Sequence, residues 1–381
     1  MTPTDFNLRH LRAFCAVVEG KSVSKAADLV HLTQPAVTHA IAKIEAQVAY
    51  KLFDRMPGRI VPNDAAVCIL PRFQAAYGFI QDSAIKMVQV KALTALAQYG
   101  SYVSSARETG LSQPSLHRSV RDLTAVLGKP LVERHGRGIK LTSDGRYYAR
   151  RFRLALRELR AALEELDTLA GHETGKITIG AMPLCRARLL PHAMIAFYKR
   201  YPHVVIKVVE GSYAELIEPL RDGSLDMMVG AVREDDFNKD VTQDILLYDQ
   251  PAVFARIDHP LAHLGREPGL KDFCDYPWIM PSPSTPLRKQ WEATFKAEGL
   301  DLPPVPMECG SATMIRQVLQ KSDCLTVLSP DQVAMDVAGK TLSKLLNIPG
   351  RMQRCIGLTS RTAWQPTPLQ TEFTQILRQQ A

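Results

Sequence analysis

Apolar residues return at three- and four-residue steps through most of the first 170 positions, and the polar residues between them mark where each helix starts and stops. Leu8 to Glu19 reads as an amphipathic helix with Leu8, Leu11, Phe14 and Val17/Val18 on one side, broken by Gly20-Lys21-Ser22. Ser22 caps a short helix whose Ala26 and Ala27 let a second helix approach closely, and His31-Leu32-Thr33 turns into a helix opening at Gln34-Pro35. There Thr33 is the N-cap, and the proline sits in the first turn, where it loses no intrahelical hydrogen bond. Val37, Ile41 and Ile44 share the buried face; Gln34, Thr38 and His39 stand on the other, with side chains suited to base edges and phosphates. The order predicts a helix-turn-helix, and Lys51-Leu52-Phe53-Asp54-Arg55 followed by Gly58-Arg59-Ile60-Val61 predicts a two-stranded wing beside it.

The same pattern returns 79 positions later without a gap. Ala13/Ala92, Ala16/Ala95, Ser22/Ser101, Ala27/Ala106, Leu32/Leu111, Gln34/Gln113, Pro35/Pro114, Ala46/Ala125, Arg55/Arg134 and Ile60/Ile139 are identical pairs. In the second copy Ser112 is the cap, Leu116, Val120 and Leu123 form the apolar face, and Gln113, His117, Arg118 and Arg121 form the polar one. Internal repetition at a fixed period makes two tandem winged helix-turn-helix units a firmer inference than either motif alone.

Each unit is followed by a long helical pattern. Leu70, Phe73, Tyr77, Ile80, Ala84 and Met87 form one stripe, and Tyr148, Phe152, Ala155, Leu159, Ala162, Leu166 and Leu169 the other. Either stripe is a coiled-coil seam or the face of a helix packed on its own domain; a seam at 145–170 predicts a dimer reading a palindromic operator. After a hinge at Gly171 to Gly175 the periodicity changes. Strands at Lys176–Gly180, Val204–Val209 and Leu225–Gly230 alternate with helices at Cys185–Tyr201 and Tyr213–Arg221, the signature of β-α-β units on a parallel sheet. Trp278–Pro281, helices at Leu287–Glu298 and Thr313–Gln320, and a strand at Cys324–Leu328 predict a second α/β lobe, and two lobes imply a cleft.

Composition sharpens this division. Of 47 Lys+Arg and 39 Asp+Glu, residues 1–175 hold 24 and 16, so the whole excess of +8 lies in the half with the paired helices, the electrostatic footprint of nucleic-acid binding. No run approaches the roughly eighteen apolar residues of a membrane span and no signal-peptide pattern opens the chain, which predicts a cytoplasmic protein. Seven scattered cysteines without a C-x-x-C pair argue against a disulfide framework or a zinc site, leaving incidental thiols or a redox role for Cys185 or the Cys309/Cys324 pair. The absence of G-x-S-x-G, a P-loop, a G-x-G-x-x-G turn and a histidine pair at metal spacing predicts no enzyme, no metal and no cofactor.

The Ala26-Ala27 helix, Leu-Thr/Ser-Gln-Pro, Leu52-Phe53-Asp54-Arg55, Leu141-Thr142-Ser143-Asp144-Gly145, Ile177-Thr178-Ile179-Gly180 and Arg221-Asp222-Gly223-Ser224-Leu225-Asp226 together resemble LysR-type transcriptional regulators. Pro281-Ser282-Pro283-Ser284-Thr285-Pro286-Leu287-Arg288 is similar to the branch regulating sugar-binding-protein and aromatic-acid genes. The resemblance implies an all-α winged helix-turn-helix fold, here in two tandem copies, joined to an α/β two-lobed effector domain like a type 2 periplasmic binding protein. The implied boundaries are 1–66 and 91–144 for the units, 67–90 and 145–172 for their linker helices, and 173–381 for the effector domain. Its first lobe takes about 173–249 and 357–381, and its second about 250–356. Typical members carry one such unit; here the copy beside the effector domain keeps the Leu-Thr-x-x-Gly wing ending, while the first has Pro62-Asn63-Asp64-Ala65-Ala66.

The function implied is sequence-specific DNA binding controlled by a small polar or carboxylated metabolite, with partners DNA, the effector, further copies of the chain and, for an activator, RNA polymerase. In the second copy Gln113 pairs with adenine and Arg118 with guanine, His117 and Pro114 lie alongside, and Ser112, Arg121, Arg134, Arg137 and Lys140 hold the backbone. In the first, Gln34, Pro35, Thr38 and His39 face bases and Lys43, Arg55 and Arg59 face phosphates. By resemblance the effector cleft is lined by Met182, Pro183, Leu184, Cys185, Ser212, Tyr213, Gly230, Ala231, Val232, Ser282, Ser284, Thr285 and Ser311, with Arg186, Arg188 or Arg288 as sources of charge. Two other readings compete: a solute-binding module of a transport or sensing system, and a regulator whose first unit is a protein-interaction module.

Overall fold

The computed structural model describes residues 2–56, 59–82, 84–136, 138–233, 240–347 and 353–381, except for the side chains of Arg55, Met56 and Arg59. The first unit comprises α1 (Leu8–Gly20), α2 (Val23–Val30), α3 (Gln34–Val48), a wing of β1 (Phe53–Met56) and β2 (Arg59–Pro62), and a long α4 (Asp64–Ile80). The second comprises α5 (Met87–Tyr99), α6 (Tyr102–Thr109), α7 (Gln113–Leu127), a wing of β3 (Val132–His135) and β4 (Gly138–Leu141), and α8 (Ser143–Leu169). Helix and strand starts are offset by 79 throughout, so the repeat in sequence is a repeat in structure.

The two copies solve the same turns with different residues. Helices α5, α6 and α7 end on Gly100, Gly110 and Gly128, all with positive φ, whereas the matching caps of α1, α2 and α3 are Lys21, His31 and Ala49 at φ 46°, 56° and 53°. A side chain in that region costs roughly 1–2 kcal/mol, so the first unit carries local strain that the second avoids. The wing endings differ less than their sequences. Thr142 donates its N–H to the Leu131 carbonyl and accepts from the Gly145 N–H; Asn63 does the same with Leu52 and Ala66.

The first linker is shorter than its apolar stripe predicts. α4 stops at Ile80, Gln81 caps it at φ 65°, and Ala84 and Met87 of the expected seam lie beyond it, Met87 already opening α5. The second unit therefore begins four residues before the expected 91, where the 79-residue offset from Leu8 places it. Most of both stripes is buried within the chain: α4 packs on α8, and Phe73, Ala76 and Ile80 share one core with Phe152, Ala155, Leu159, Ala162 and Leu166, while Leu169 stays exposed. The apolar stripe of α8 thus finds most of its packing partner in α4 of the same chain.

The remaining elements form the two lobes. Lobe 1 has β5 (Gly175–Ala181), α9 (Leu189–Arg200), β6 (Val204–Glu210), α10 (Tyr213–Arg221), β7 (Met227–Ala231) and β8 (Val241–Asp249). The chain then crosses to lobe 2, which has β9 (Ala252–Arg256), β10 (Ile279–Met280), α11 (Pro286–Ala297), β11 (Met307–Glu308), α12 (Ala312–Leu319), β12 (Thr326–Leu328), α13 (Pro330–Ala338) and β13 (Leu342–Asn347). It returns through β14 (Arg354–Arg361) and ends in α14 (Pro368–Gln379), so lobe 1 resumes at 354 rather than 357. The lobe 1 sheet runs β6-β5-β7-β14-β8; the expected parallel order holds for β6, β5 and β7, while β14 is antiparallel to both neighbours. In lobe 2, β12-β9-β13 is antiparallel, and β10 lies parallel to β11. Trp278 packs against Trp291 at 5.2 Å between ring centres, and Phe273 and Phe295 complete an aromatic core.

Candidate nucleic-acid interface and effector cleft

Both proposed reading helices begin on a hydroxyl cap. Thr33 Oγ1 accepts from the Ala36 N–H at 3.4 Å and Ser112 Oγ from the Ser115 N–H at 3.3 Å. Val37, Ile41 and Ile44 in α3, and Leu116, Val120 and Leu123 in α7, are buried against the preceding helices, which turns the opposite faces to solvent. Gln34, Pro35, Thr38, His39 and Lys43 are exposed together on α3, as are Gln113, Pro114, His117, Arg118 and Arg121 behind Ser112 on α7.

The two faces are chemically unlike. On α3, Gln34 Nε2 donates to Ser24 Oγ at 3.1 Å, and the His39 ring meets the edge of His10 at 6.4 Å. Burial lowers the His10 pKa, and the nearby charges of His39 and Lys43 lower it further. On α7, His117 stacks on Tyr102 with ring centres 4.6 Å apart, beside the exposed Arg118. Arg121 lies 3.8 Å from Asp122, a position taken by Lys43 in the first copy, so the α7 face carries its cations differently. In the second wing Arg134 is exposed, and Lys140 lies 3.9 Å from Glu133. Arg137 and the side chains of Arg55 and Arg59 lie outside the described residues.

The cleft loops lie at the carboxyl ends of β5, β6 and β7 in lobe 1 and of β10, β11 and β12 in lobe 2, where helix N-termini offer N–H groups to an anion or polar oxygen. Arg188, just after β5, pairs with Asp331 at the start of α13 at 2.8 Å, so these ends face each other. At the hinge, Asp249 accepts from Ser329 Oγ at 2.6 Å and from Arg354, joining both crossover strands to α13. Exposed or half-exposed in these loops are Pro183, Leu184, Ser212, Tyr213, Ala231, Val232, Ser282, Ser284, Thr285 and Ser311. Ser311 caps α12 and Thr285 caps α11, while Ser282 and Ser284 lie 3.2 Å apart, oxygen to oxygen.

Three residues expected at the cleft are core residues instead. Cys185 is fully buried and donates to the carbonyls of Met182 and Val229, and burial pushes its thiol pKa up to about 12. Met182 is buried among Leu216, Leu220 and Met228, and it lies over Gly230, where a Cβ would fall 2.3 Å from the Met182 Cβ. Met182 and Gly230 lie at the ends of β5 and β7 and Cys185 in the turn after β5, and their side chains or Cα face inward. Burial argues against a redox role for Cys185; the Cys309/Cys324 pair stands as free thiols. The three arginines considered as sources of charge already have carboxylate partners, Arg186 with Glu210, Arg188 with Asp331 and Arg288 with Glu292.

What the sequence reading missed is the joint between the halves. Arg150, Arg153 and Arg157 line one face of α8 at helical spacing and reach Asp240 at 2.9 Å, Asp222 at 3.0 Å and Asp226 in lobe 1. The segment Arg221-Asp222-Gly223-Ser224-Leu225-Asp226 thus receives α8, and Gly223, at φ 79°, is small enough to lie against Leu154. Arg72 of α4 adds a second link, donating to the carbonyls of Gln365 at 2.7 Å and Pro366 at 3.1 Å.

Comparison with known proteins agrees with this architecture. Residues 8–67 and 87–146 each match the lysR family of bacterial regulatory helix-turn-helix proteins, and residues 170–381 match the LysR substrate binding domain. The HTH-type transcriptional regulator GalR of Pseudomonas putida is 32% identical over 387 aligned positions, covering 98% of this chain and 97% of its own. PcaQ of Agrobacterium fabrum is 29% identical but covers 79% of this chain and 96% of its own. Among solved structures, a full-length OxyR variant of Pseudomonas aeruginosa gives a TM-score of 0.57 at 18% identity, over 77% of this chain and 93% of its own. CbnR complexed with its target DNA gives 0.53 at 19%, over 77% and 99%. The chain belongs to the LysR family of DNA-binding transcriptional regulators, with two of the family's helix-turn-helix units joined to one effector-binding domain.

Proposed function

We propose that the exposed faces of α3 and α7 both read operator DNA, and that a small polar or carboxylated metabolite, a sugar or an aromatic or other organic acid, controls the outcome from between the lobes. The observation that carries the DNA reading is the likeness of form between the copies: each presents a capped helix with a Gln-Pro start, an apolar face turned inward and a polar face turned out. Arg118 and Gln113 form the stronger reading head, because bidentate contacts to guanine and adenine are each worth about 1–3 kcal/mol of discrimination. Gln34, Thr38 and His39 form the weaker one. Lys43, Arg55 and Arg59 in the first unit and Ser112, Arg121, Arg134, Arg137 and Lys140 in the second hold phosphates. Selection from randomised duplexes with the full chain tests this reading: enrichment of a defined sequence supports it, and uniform recovery refutes it.

The effector is held by hydroxyls and N–H groups, since the candidate arginines are engaged elsewhere. Ser282, Ser284 and Ser311, with the first turns of α11 and α12, supply donors on the lobe 2 side, and Tyr213, at the start of α10, supplies one on the lobe 1 side. Arg233, whose guanidinium lies 4.8 Å over the Tyr213 ring, is a cation that the sequence reading overlooked. A panel of sugars and aromatic acids scored by thermal shift identifies the class; Ser311→Ala and Ser284→Ala then remove the shift if those hydroxyls bind. Further copies of the chain, RNA polymerase as a partner of the activating form, and a cytoplasmic location complete the proposal. Among the described residues no helix is long and apolar enough to cross a membrane.

A further inference from the structure

The packing of α4 on α8 has a symmetry that the repeat makes visible. Arg72 on α4 bonds to Glu158 on α8, and Arg151 on α8 bonds to the carbonyls of Gly78 and Phe79 on α4. Under the 79-residue offset Arg72 corresponds to Arg151 and Phe79 to Glu158, so each contact is the image of the other with the helices exchanged. Cys68 meets Glu165 farther along, so the paired positions run in opposite directions and the helices are antiparallel. Their crossing falls at Ala76 and Ala155, equivalent residues, both fully buried, and small enough to let the two backbones approach. Phe73 and Phe152, likewise equivalent and fully buried, flank it. Two equivalent units joined by reciprocal contacts are related by a local two-fold axis, the relation that an isologous dimer has between two chains.

We infer that a single chain is the DNA-reading pair: α3 and α7 of one polypeptide take the two halves of one inverted repeat. This rests on the proposed reading of DNA by both faces. A duplex inverted repeat has the same two-fold symmetry, which is why symmetric proteins read such sites with one head per half. Here the heads are covalently joined and unlike, Thr38-His39-Lys43 against His117-Arg118-Arg121. The operator is therefore an inverted repeat with unequal halves, and the chain binds it in one orientation. Within the chain α8 packs one face on α4 and pairs its Arg150, Arg153 and Arg157 with Asp240, Asp222 and Asp226, so the pairing of heads is made by contacts inside one polypeptide.

The test is a selection from randomised duplexes with the full chain, repeated with Arg118→Ala and His39→Ala, both at exposed positions where folding is unaffected. The expected result is a two-part consensus in which Arg118→Ala weakens base preference in one half only and His39→Ala, more mildly, in the other half only. Loss of preference in both halves with Arg118→Ala, and in neither with His39→Ala, means that two α7 helices from two chains read the repeat, and overturns the inference while leaving DNA reading intact. A one-part consensus overturns it in the same way. No consensus with the unaltered chain removes the underlying reading of DNA and this inference with it.

Discussion

Arg72 donates to Glu165 through Nε at 2.9 Å and Nη2 at 2.6 Å, both side chains over nine-tenths buried, at the point where the first reading unit, α8 and the effector domain meet. Burial works against the Arg72 charge, but hydrogen bonds and charge from Glu165 and then Glu158 outweigh it and hold the pKa above its ordinary value. The same guanidinium satisfies two carbonyls of the segment before α14. One side chain thereby connects the helix-turn-helix units to the effector domain.

Arg72→Met leaves two carboxylates buried without their partner, which costs about 3–5 kcal/mol. The expected result is a large fall in unfolding midpoint by denaturant titration. Replacing Glu158 and Glu165 by leucine in the same chain restores most of it, because the cost lies in the uncompensated charges rather than in lost packing.

Arg118→Ala is expected to weaken sequence-specific binding about ten- to a hundredfold, the worth of one bidentate base contact. His39→Ala costs several-fold less, since a histidine set against His10 makes at most a single hydrogen bond. Lys140→Ala lowers binding evenly across sequences and reduces the salt slope by about one. Titrations at two salt concentrations separate the three effects; equal, large losses for Arg118 and His39 would make the heads equivalent.

Ala49→Gly is expected to stabilise the protein by about 1 kcal/mol, and Gly128→Ala to destabilise it by a similar amount, because both positions cap a helix at positive φ. Thermal midpoints of the two single variants check this; shifts of the same sign would contradict it.

Asp240 joins Arg150 and Arg221 at the contact between α8 and lobe 1. Partial burial raises its pKa, but the hydrogen bond from Arg150 and the charge of Arg221 outweigh this and leave it below the ordinary 3.8. A lowered folded-state pKa means that the stability it contributes is present above about pH 4 and is lost as pH falls below that. The difference in thermal midpoint between the unaltered chain and Asp240→Asn should thus be constant near neutrality and vanish in acid; the pair is partly exposed, so the difference is small, about 1 kcal/mol or less.

The helices, their caps and the two-unit repeat were legible because each is written in local pattern: hydroxyl, proline and apolar spacing act within a few residues. The end of α4 was not, because Ala84 and Met87 continue the apolar stripe while the break is made by Gln81 adopting a left-handed cap, a conformation its side chain does not announce. The α4–α8 pairing was hidden for another reason. An apolar stripe states that a face is buried but not against what, and the partner here lies in the same chain. Arginines 150, 153 and 157 show the same limit from the polar side, since a charged helical face reads as solvated until Asp222, Asp226 and Asp240 are seen opposite it. Met182 directly follows β5 and Cys185 stands four residues past its end, but the direction of a side chain there depends on packing that spacing alone does not encode.

The central claim, that one chain carries a rigid two-fold pair of reading heads, is tested most directly by spacing. Affinity is measured for a selected inverted repeat and for the same duplex with about five base pairs, roughly half a helical turn, inserted between its halves. The rigid α4–α8 joint predicts that the insertion lowers affinity at least about tenfold, to that of one half alone; an unchanged affinity would contradict it.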